Sequence, residues 1–177
     1  IYSTDPVKYY NYPIKKLSKK NLESISNLKS PSGDLALFNF RDKSIKNEKL
    51  YVVLDGINDP GNLGTIIRTC DWFGIYQIIC SKNSVDCFSP KVIQSSMGSS
   101  SRVNVFYLDI LEFINSKNIP IYGAVLSGEK LKNEIINNGI FVFGSESNGI
   151  SEDILKNIEY KIKIPKYDKN VKTDSLN

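Results

Sequence analysis

LYVVLDGINDPGNLGTIIRTCDWFGIYQIIC, residues 50–80, changes its periodicity twice within one short stretch. Tyr51–Leu54 is an unbroken apolar run, as expected of a strand buried on both faces. Asp59-Pro60 reads as a helix start, with Asp as the N-cap and Pro at the first helical position, where no amide proton is needed. Leu63, Ile66, Ile67, Cys70 and Phe73 then fall on one helical stripe, and Gly74 supplies the stop. Tyr76–Ile79 is the next strand, which completes a βαβ unit.

The alternation continues towards the C-terminus. The pattern predicts helices over Ser89–Met97, Ile110–Ser116, Lys130–Asn137 and Glu152–Asn157. Between them it predicts strands over Val103–Tyr107, Ile119–Leu126, Ile140–Phe143 and Tyr160–Ile164. Such alternation argues for an α/β fold, a mostly parallel sheet with helices on both faces. Ligands of these sheets bind beyond the carboxyl ends of the strands, which singles out the loops after Leu54, Leu126, Phe143 and Ile164.

Towards the N-terminus the character differs. Residues 1–30 are polar, Pro31-Ser-Gly33 makes a turn, and Leu35–Phe38 reads as a strand closing a small α+β module. The polar run Arg41–Lys49 reads as a linker. The expected division is therefore 1–45, module and linker, and 46–177, the main α/β domain. Residues 1–49 carry ten Lys/Arg against five Asp/Glu, and the rest carry thirteen against fourteen. A basic module beside a near-neutral domain suits an anionic partner, although a lysine-rich solvated surface explains the charge equally well.

Composition removes several chemistries. The 177 residues contain no histidine, so Ser-His-Asp and Cys-His catalysis are excluded. Cys70, Cys80 and Cys87 have no C-x-x-C spacing, and no metal site is expected from them. No run approaches the 18 or so apolar residues of a membrane span, and the first residues do not read as a signal peptide. The expectation is a cytoplasmic protein without membrane or metal. Its start at Ile1 points to an N-terminal portion beyond this sequence.

Three loops hold the candidate chemistry. DGINDPGNLG, Asp55–Gly64, has three glycines outside dinucleotide or phosphate-loop spacing, and is either a tight turn or a ligand approach. Beyond it, Arg68 points away from the buried stripe with Trp72 one turn on, a face suited to a subunit or RNA contact. Asn62 would not share the Arg68 face in a continuous helix; cooperation between them requires an irregular entry turn. In Phe143-Gly-Ser-Glu-Ser-Asn-Gly149 the glycines bracket Glu146, which either projects at a strand end or serves as a helix-entry charge. After Ile164-Pro165, the stretch to Ser175-Leu-Asn177 places small polar groups beyond another strand.

Taken together and in this order, these loops resemble the three motifs of the SpoU (TrmH-like) family of RNA 2'-O-ribose methyltransferases. Leu54–Gly64 with Arg68 resembles the first motif, Phe143–Ser151 the second, and Ile164-Pro165 with Ser175–Asn177 the third. Ser89–Gly98 resembles the intermotif helix, and Leu28–Phe38 the end of the small substrate-binding module that often precedes this domain. The resemblance implies a C-terminal trefoil knot (the SPOUT fold), a homodimer, and S-adenosyl-L-methionine as cofactor. It implies Asn62, Arg68, Glu146, Ser175 and Asn177 as the catalytic set, and Leu126, Gly144, Ile164 and Leu176 as cofactor-binding residues. The substrate implied is structured RNA, ribosomal before transfer RNA on the strength of the basic module. A non-catalytic RNA-binding relative of the same fold is the alternative.

There are departures from the family pattern. Lys166–Asp174 is longer than usual and lacks glycine, Gln94 stands where many relatives have Arg, and the sequence ends at Asn177, where relatives continue with a helix that completes the knot.

Overall fold

The computed structural model describes residues 1–5, 11–39, 43–131 and 136–166. The chain divides into two compact units, Ile1–Lys43 and Ser44–Asn177.

In the first unit, β1 (Tyr2–Ser3) pairs in parallel with β2 (Lys15–Lys16) and antiparallel with β3 (Asp34–Leu35). Helix α1 (Lys19–Ile25) buries Leu22, and its N-cap Ser18 accepts the Asn21 amide proton. Ser3, fully buried, donates its hydroxyl to Asp34 Oδ1 at 2.6 Å. The strand expected over Leu35–Phe38 is shorter and earlier, because β1 offers only two pairing residues. Leu37 and Phe38 stay exposed beyond it.

The second unit contains β4 (Leu50–Asp55), α2 (Pro60–Trp72), β5 (Gln77–Ser81), α3 (Pro90–Ser95), a 3-10 turn at Ser99–Ser101, β6 (Asn104–Leu108) and α4 (Ile110–Asn115). It continues through β7 (Ile121–Lys130), β8 (Gly139–Gly144), α5 (Glu152–Leu155) and β9 (Tyr160–Lys163). These strands form one sheet in the order β6-β5-β4-β8-β7-β9, parallel throughout.

Alternation along β4 builds two cores at once. Tyr51 and Val53 pack with Phe113, Ile114 and Ile154 of α4 and α5 on one face. Val52 and Leu54 pack with Leu63, Ile67 and Val92 of α2 and α3 on the other. Burying each such aliphatic side chain favours the fold by about 1.5–3 kcal/mol, which makes a continuous apolar strand the expected sequence here.

From β4 the chain steps outward to β5 and β6, then crosses to β7 and returns to β8 beside β4. The order of strands therefore switches direction at the β4–β8 pair, the place at which open parallel sheets take their ligands.

Helix α2 is closed at both ends as its sequence predicts. Asp59 Oδ1 accepts the Asn62 amide proton at 2.8 Å. At the far end Gly74 takes a positive φ of 72°, and the amides of Gly74 and Ile75 donate back to Asp71 and Cys70. Phe73, expected on the buried stripe, sits in this terminating turn and is 71% exposed. β5 begins at Gln77 instead of Tyr76, because the Gln77 amide both accepts from and donates to the Lys46 backbone.

β7 runs four residues past its expected end, to Lys130, where a helix was expected to begin; residues 132–135 lie outside those described. Gly128 permits the extension. A Cβ there would meet the Ile162 backbone, and only a bare backbone lets the strand rejoin β9.

Candidate active site

The candidate site is built from the carboxyl ends of two adjacent strands. Asp55, the last residue of β4, is in register with Gly144, the last residue of β8. After Gly144 the chain folds back sharply. Ser145 N–H donates to the Gly149 carbonyl at 3.1 Å, and Gly149 N–H donates to the Ser145 carbonyl at 2.8 Å. Asn148 N–H donates to Ser145 Oγ at 3.1 Å, and Gly149 has a φ of 67°. A Cβ on Gly144 would collide with the Gly149 carbonyl and the Ile150 nitrogen, so glycine is required by the close approach. Glu146 lies in this turn and is exposed to solvent.

Asp55 holds the turn in place. It is buried, and its Oδ2 accepts the Ser151 amide proton at 2.7 Å. Ser151 is the N-cap of α5 and makes no side-chain capping bond of its own, so the Asp55 carboxylate supplies an acceptor at the helix start. The following loop is fastened to the end of β5. Gly56 N–H donates to Ser81 Oγ at 2.8 Å and Ile57 N–H to Ser84 Oγ at 3.2 Å, while the two serine hydroxyls bond each other at 3.0 Å.

Beyond β8 the edge becomes apolar. Ala124 and Glu129 both pair with Ile162, so residues 125–128 loop out of β7 at the carboxyl end of β9. Leu126, in this loop, and Ile164, just past β9, are 87% and 75% exposed. Exposed aliphatic side chains beside glycine-rich turns suit a ligand with an apolar body held largely by backbone groups.

Arg68 is separate from this cluster along α2. It lies eight residues after Pro60, about 12 Å along the helix axis. Its Nη1 donates to Met97 Sδ at 3.1 Å. Asn62 is the third residue of the regular helix, not part of an irregular entry turn, so α2 does not set Asn62 and Arg68 on one face. Ser175, Leu176 and Asn177 lie outside the described residues, as does the knot expected there.

Sequence reasoning misses four contributors. Asp55 reads only as part of a loop, although an acid ending an apolar strand is a legible signal. Ser81 and Ser84 gave no signal, because only the fold brings them under the loop after β4. The pattern places Met97 in a helix, whereas it follows α3 in a left-handed turn with a φ of 50°.

The ionisable groups around α2 separate into two kinds. Arg102 grips Asp71 through Nε and Nη2, with a closest approach of 2.6 Å. Those bonds, with help from Ser99, hold the Asp71 carboxyl below the usual carboxylate range despite some burial. Burial pushes the Cys70 and Cys80 thiols up to about 12 and also raises the Tyr107 hydroxyl. The thiols are packing groups in the core and not nucleophiles. Among the described residues, no cluster of three or more His, Cys, Asp or Glu could hold a metal ion. Among them, too, no helix is long and apolar enough to cross a membrane.

Residues 49–177 match the SpoU rRNA Methylase family profile. The chain is 24% identical over 156 residues to the 23S rRNA (guanosine(2553)-2'-O)-methyltransferase RlmP of Bacillus subtilis (strain 168), covering 85% of this chain and 63% of that protein. The fold superposes on a TrmH-family structure from Porphyromonas gingivalis with a TM-score of 0.76 at 35% identity, covering 93% of this chain and 68% of the other. It also superposes on an AdoMet-bound rRNA methyltransferase from Sinorhizobium meliloti with a TM-score of 0.74 at 24% identity, covering 93% and 66% respectively. This chain thus spans a little under two thirds of the Bacillus relative.

Proposed function

Because the chain belongs to the SpoU rRNA methylase family, we propose that it transfers a methyl group from S-adenosyl-L-methionine to a ribose 2'-hydroxyl of structured RNA. Ribosomal RNA is the first candidate substrate and transfer RNA the second, in a cytoplasmic homodimer with a knotted C-terminal end. The observation that carries this reading is the carboxyl end of the sheet, where Gly144 admits no side chain and Leu126 and Ile164 stand exposed.

Those residues fit the cofactor. An adenosyl group needs a flat apolar contact and donors or acceptors from backbone, and this edge offers both. Leu126, Gly144 and Ile164, with Leu176, would hold it. When bound, S-adenosylmethionine supplies a methyl carbon made electrophilic by its sulfonium.

The protein's own task is to present the 2'-oxygen and to hold an RNA phosphate oxygen where it takes the hydroxyl proton. No histidine exists to act as base. A guanidinium stays protonated, so Arg68 serves as a cation that binds an RNA phosphate and stabilises charge developing on the 2'-oxygen. Glu146 and Asn62 orient the ribose and its neighbours, and Ser175 and Asn177 complete the set. Positioning and electrostatics supply most of the acceleration in such a site. The first unit, with its excess of lysines, holds the RNA.

The test is calorimetry of the full-length protein with S-adenosylmethionine, followed by methyl transfer to total RNA from a strain lacking the gene. Saturable binding and new 2'-O-methyl positions are expected. Absence of binding at millimolar cofactor would sink the enzyme reading.

A further inference from the structure

Two arginines lie over α2, and they are held differently. Arg102 is bound to the Asp71 carboxylate through Nε and Nη2, so its charge is compensated. Arg68 is held by a thioether, Met97 Sδ, at 3.1 Å, and among the described residues no carboxylate pairs with it. Sulfur is a weak acceptor carrying no charge, so this contact fixes the guanidinium without neutralising it.

The fold spends conformational energy on that contact. Met97 is the one non-glycine residue with a positive φ among those described, at 50°, and it is 72% exposed. An exposed side chain in this conformation packs little core in return, and strain of this kind is retained where a site requires it. A close helix contact sets the position. A Cβ on Gly64 would collide with Ser95, so α2 and α3 approach at that point, and Ser95 Oγ also donates to the Pro60 carbonyl. One turn along α2 from Gly64 is Arg68, and two residues along the chain from Ser95 is Met97.

Building on the methyltransferase reading, we infer that Met97 is a positioning residue, whose thioether holds Arg68 in a defined pose with its charge uncompensated until an RNA phosphate engages it.

Met97 is the one methionine of these 177 residues, and the signal lost in Met97→Leu identifies its methyl resonance. In full-length protein labelled with [methyl-13C]methionine, and assigned with Met97→Leu, Arg68→Ala is expected to shift the Met97 methyl resonance. An unmoved resonance overturns the contact. Met97→Gly relieves the backbone and should raise the urea midpoint, while lowering kcat on total RNA from the deletion strain by about tenfold with KM for S-adenosylmethionine unchanged. Met97→Leu should lose kcat similarly. Retention of wild-type kcat by either variant overturns the proposal. Arg68→Ala is the control that separates the two ideas: if it remains active, the role given to Arg68 fails. If it is inactive while Met97→Gly is fully active, only the Met97 inference fails.

Discussion

Asp55 and Ser151 are 96 residues apart in sequence, yet the Asp55 carboxylate accepts the Ser151 amide proton at 2.7 Å. The bond ties the start of α5 to the end of β4 and fixes both ends of the turn that carries Glu146. Asp55→Ala leaves that amide without its acceptor. Urea unfolding should show a loss of about 1.5–3 kcal/mol, as for other hydrogen bonds to a charged group. Asp55→Asn keeps an acceptor and should lose less than half as much. Equal losses in the two variants would show that the charge, not the bond, is what matters.

Gly144→Ala places a methyl group against the Gly149 carbonyl and the Ile150 nitrogen. The turn must open, at a cost of about 1–3 kcal/mol, comparable to overpacking a core. S-adenosylmethionine affinity measured by calorimetry should fall more than tenfold. Wild-type affinity in a stable variant would remove Gly144 from the cofactor site.

Leu126→Asp separates binding from folding. Leu126 is 87% exposed, so the substitution should change stability by no more than about 0.5 kcal/mol. An acid at an apolar contact should nevertheless weaken cofactor binding by an order of magnitude or more. Unchanged affinity would place the ligand elsewhere along the sheet edge.

Trp72 is the sole tryptophan of the chain and is 86% exposed on α2. If this face joins two subunits, Trp72→Glu should shift sedimentation from dimer towards monomer, and dilution of the wild type should red-shift its fluorescence. A dimer that survives the substitution would remove the face from the subunit contact and leave it with an RNA role or none.

Cys70 and Cys80 are held neutral by burial, with their thiols pushed up to about 12 from an ordinary 9.0. The unfolded chain ionises first, so their contribution is complete below pH 9 and is lost as pH rises from there towards 12. Stability measured in urea should therefore fall on the alkaline side, and Cys70→Ala with Cys80→Ala should flatten that fall. Asp71 acts at the opposite end. Its carboxyl is lowered chiefly by the Arg102 bonds, so its contribution is present above the ordinary carboxylate value and lost as pH falls through the depressed one. Asp71→Asn should reduce acid sensitivity.

The helix-face error at Phe73 and the strand error at Tyr76 share one cause. Both lie at element ends, where capping bonds and the Gln77–Lys46 exchange decide placement and periodicity does not. The long β7 was illegible for a different reason: its continuation depends on Gly128 lying bare against a strand more than 30 residues away in sequence.

Apolar periodicity, the Asp59-Pro60 and Gly74 signals and the run of β4 determined a doubly covered parallel sheet, because burial and capping act over a few residues and are written locally. The order of the three motif loops pointed to the family. Only the tertiary structure decided that Asp55 meets Ser151, that Gly64 lets α3 approach α2, and that Met97 touches Arg68. These contacts join segments whose spacing in sequence carries no period, and they exist only once the sheet has set the helices against each other.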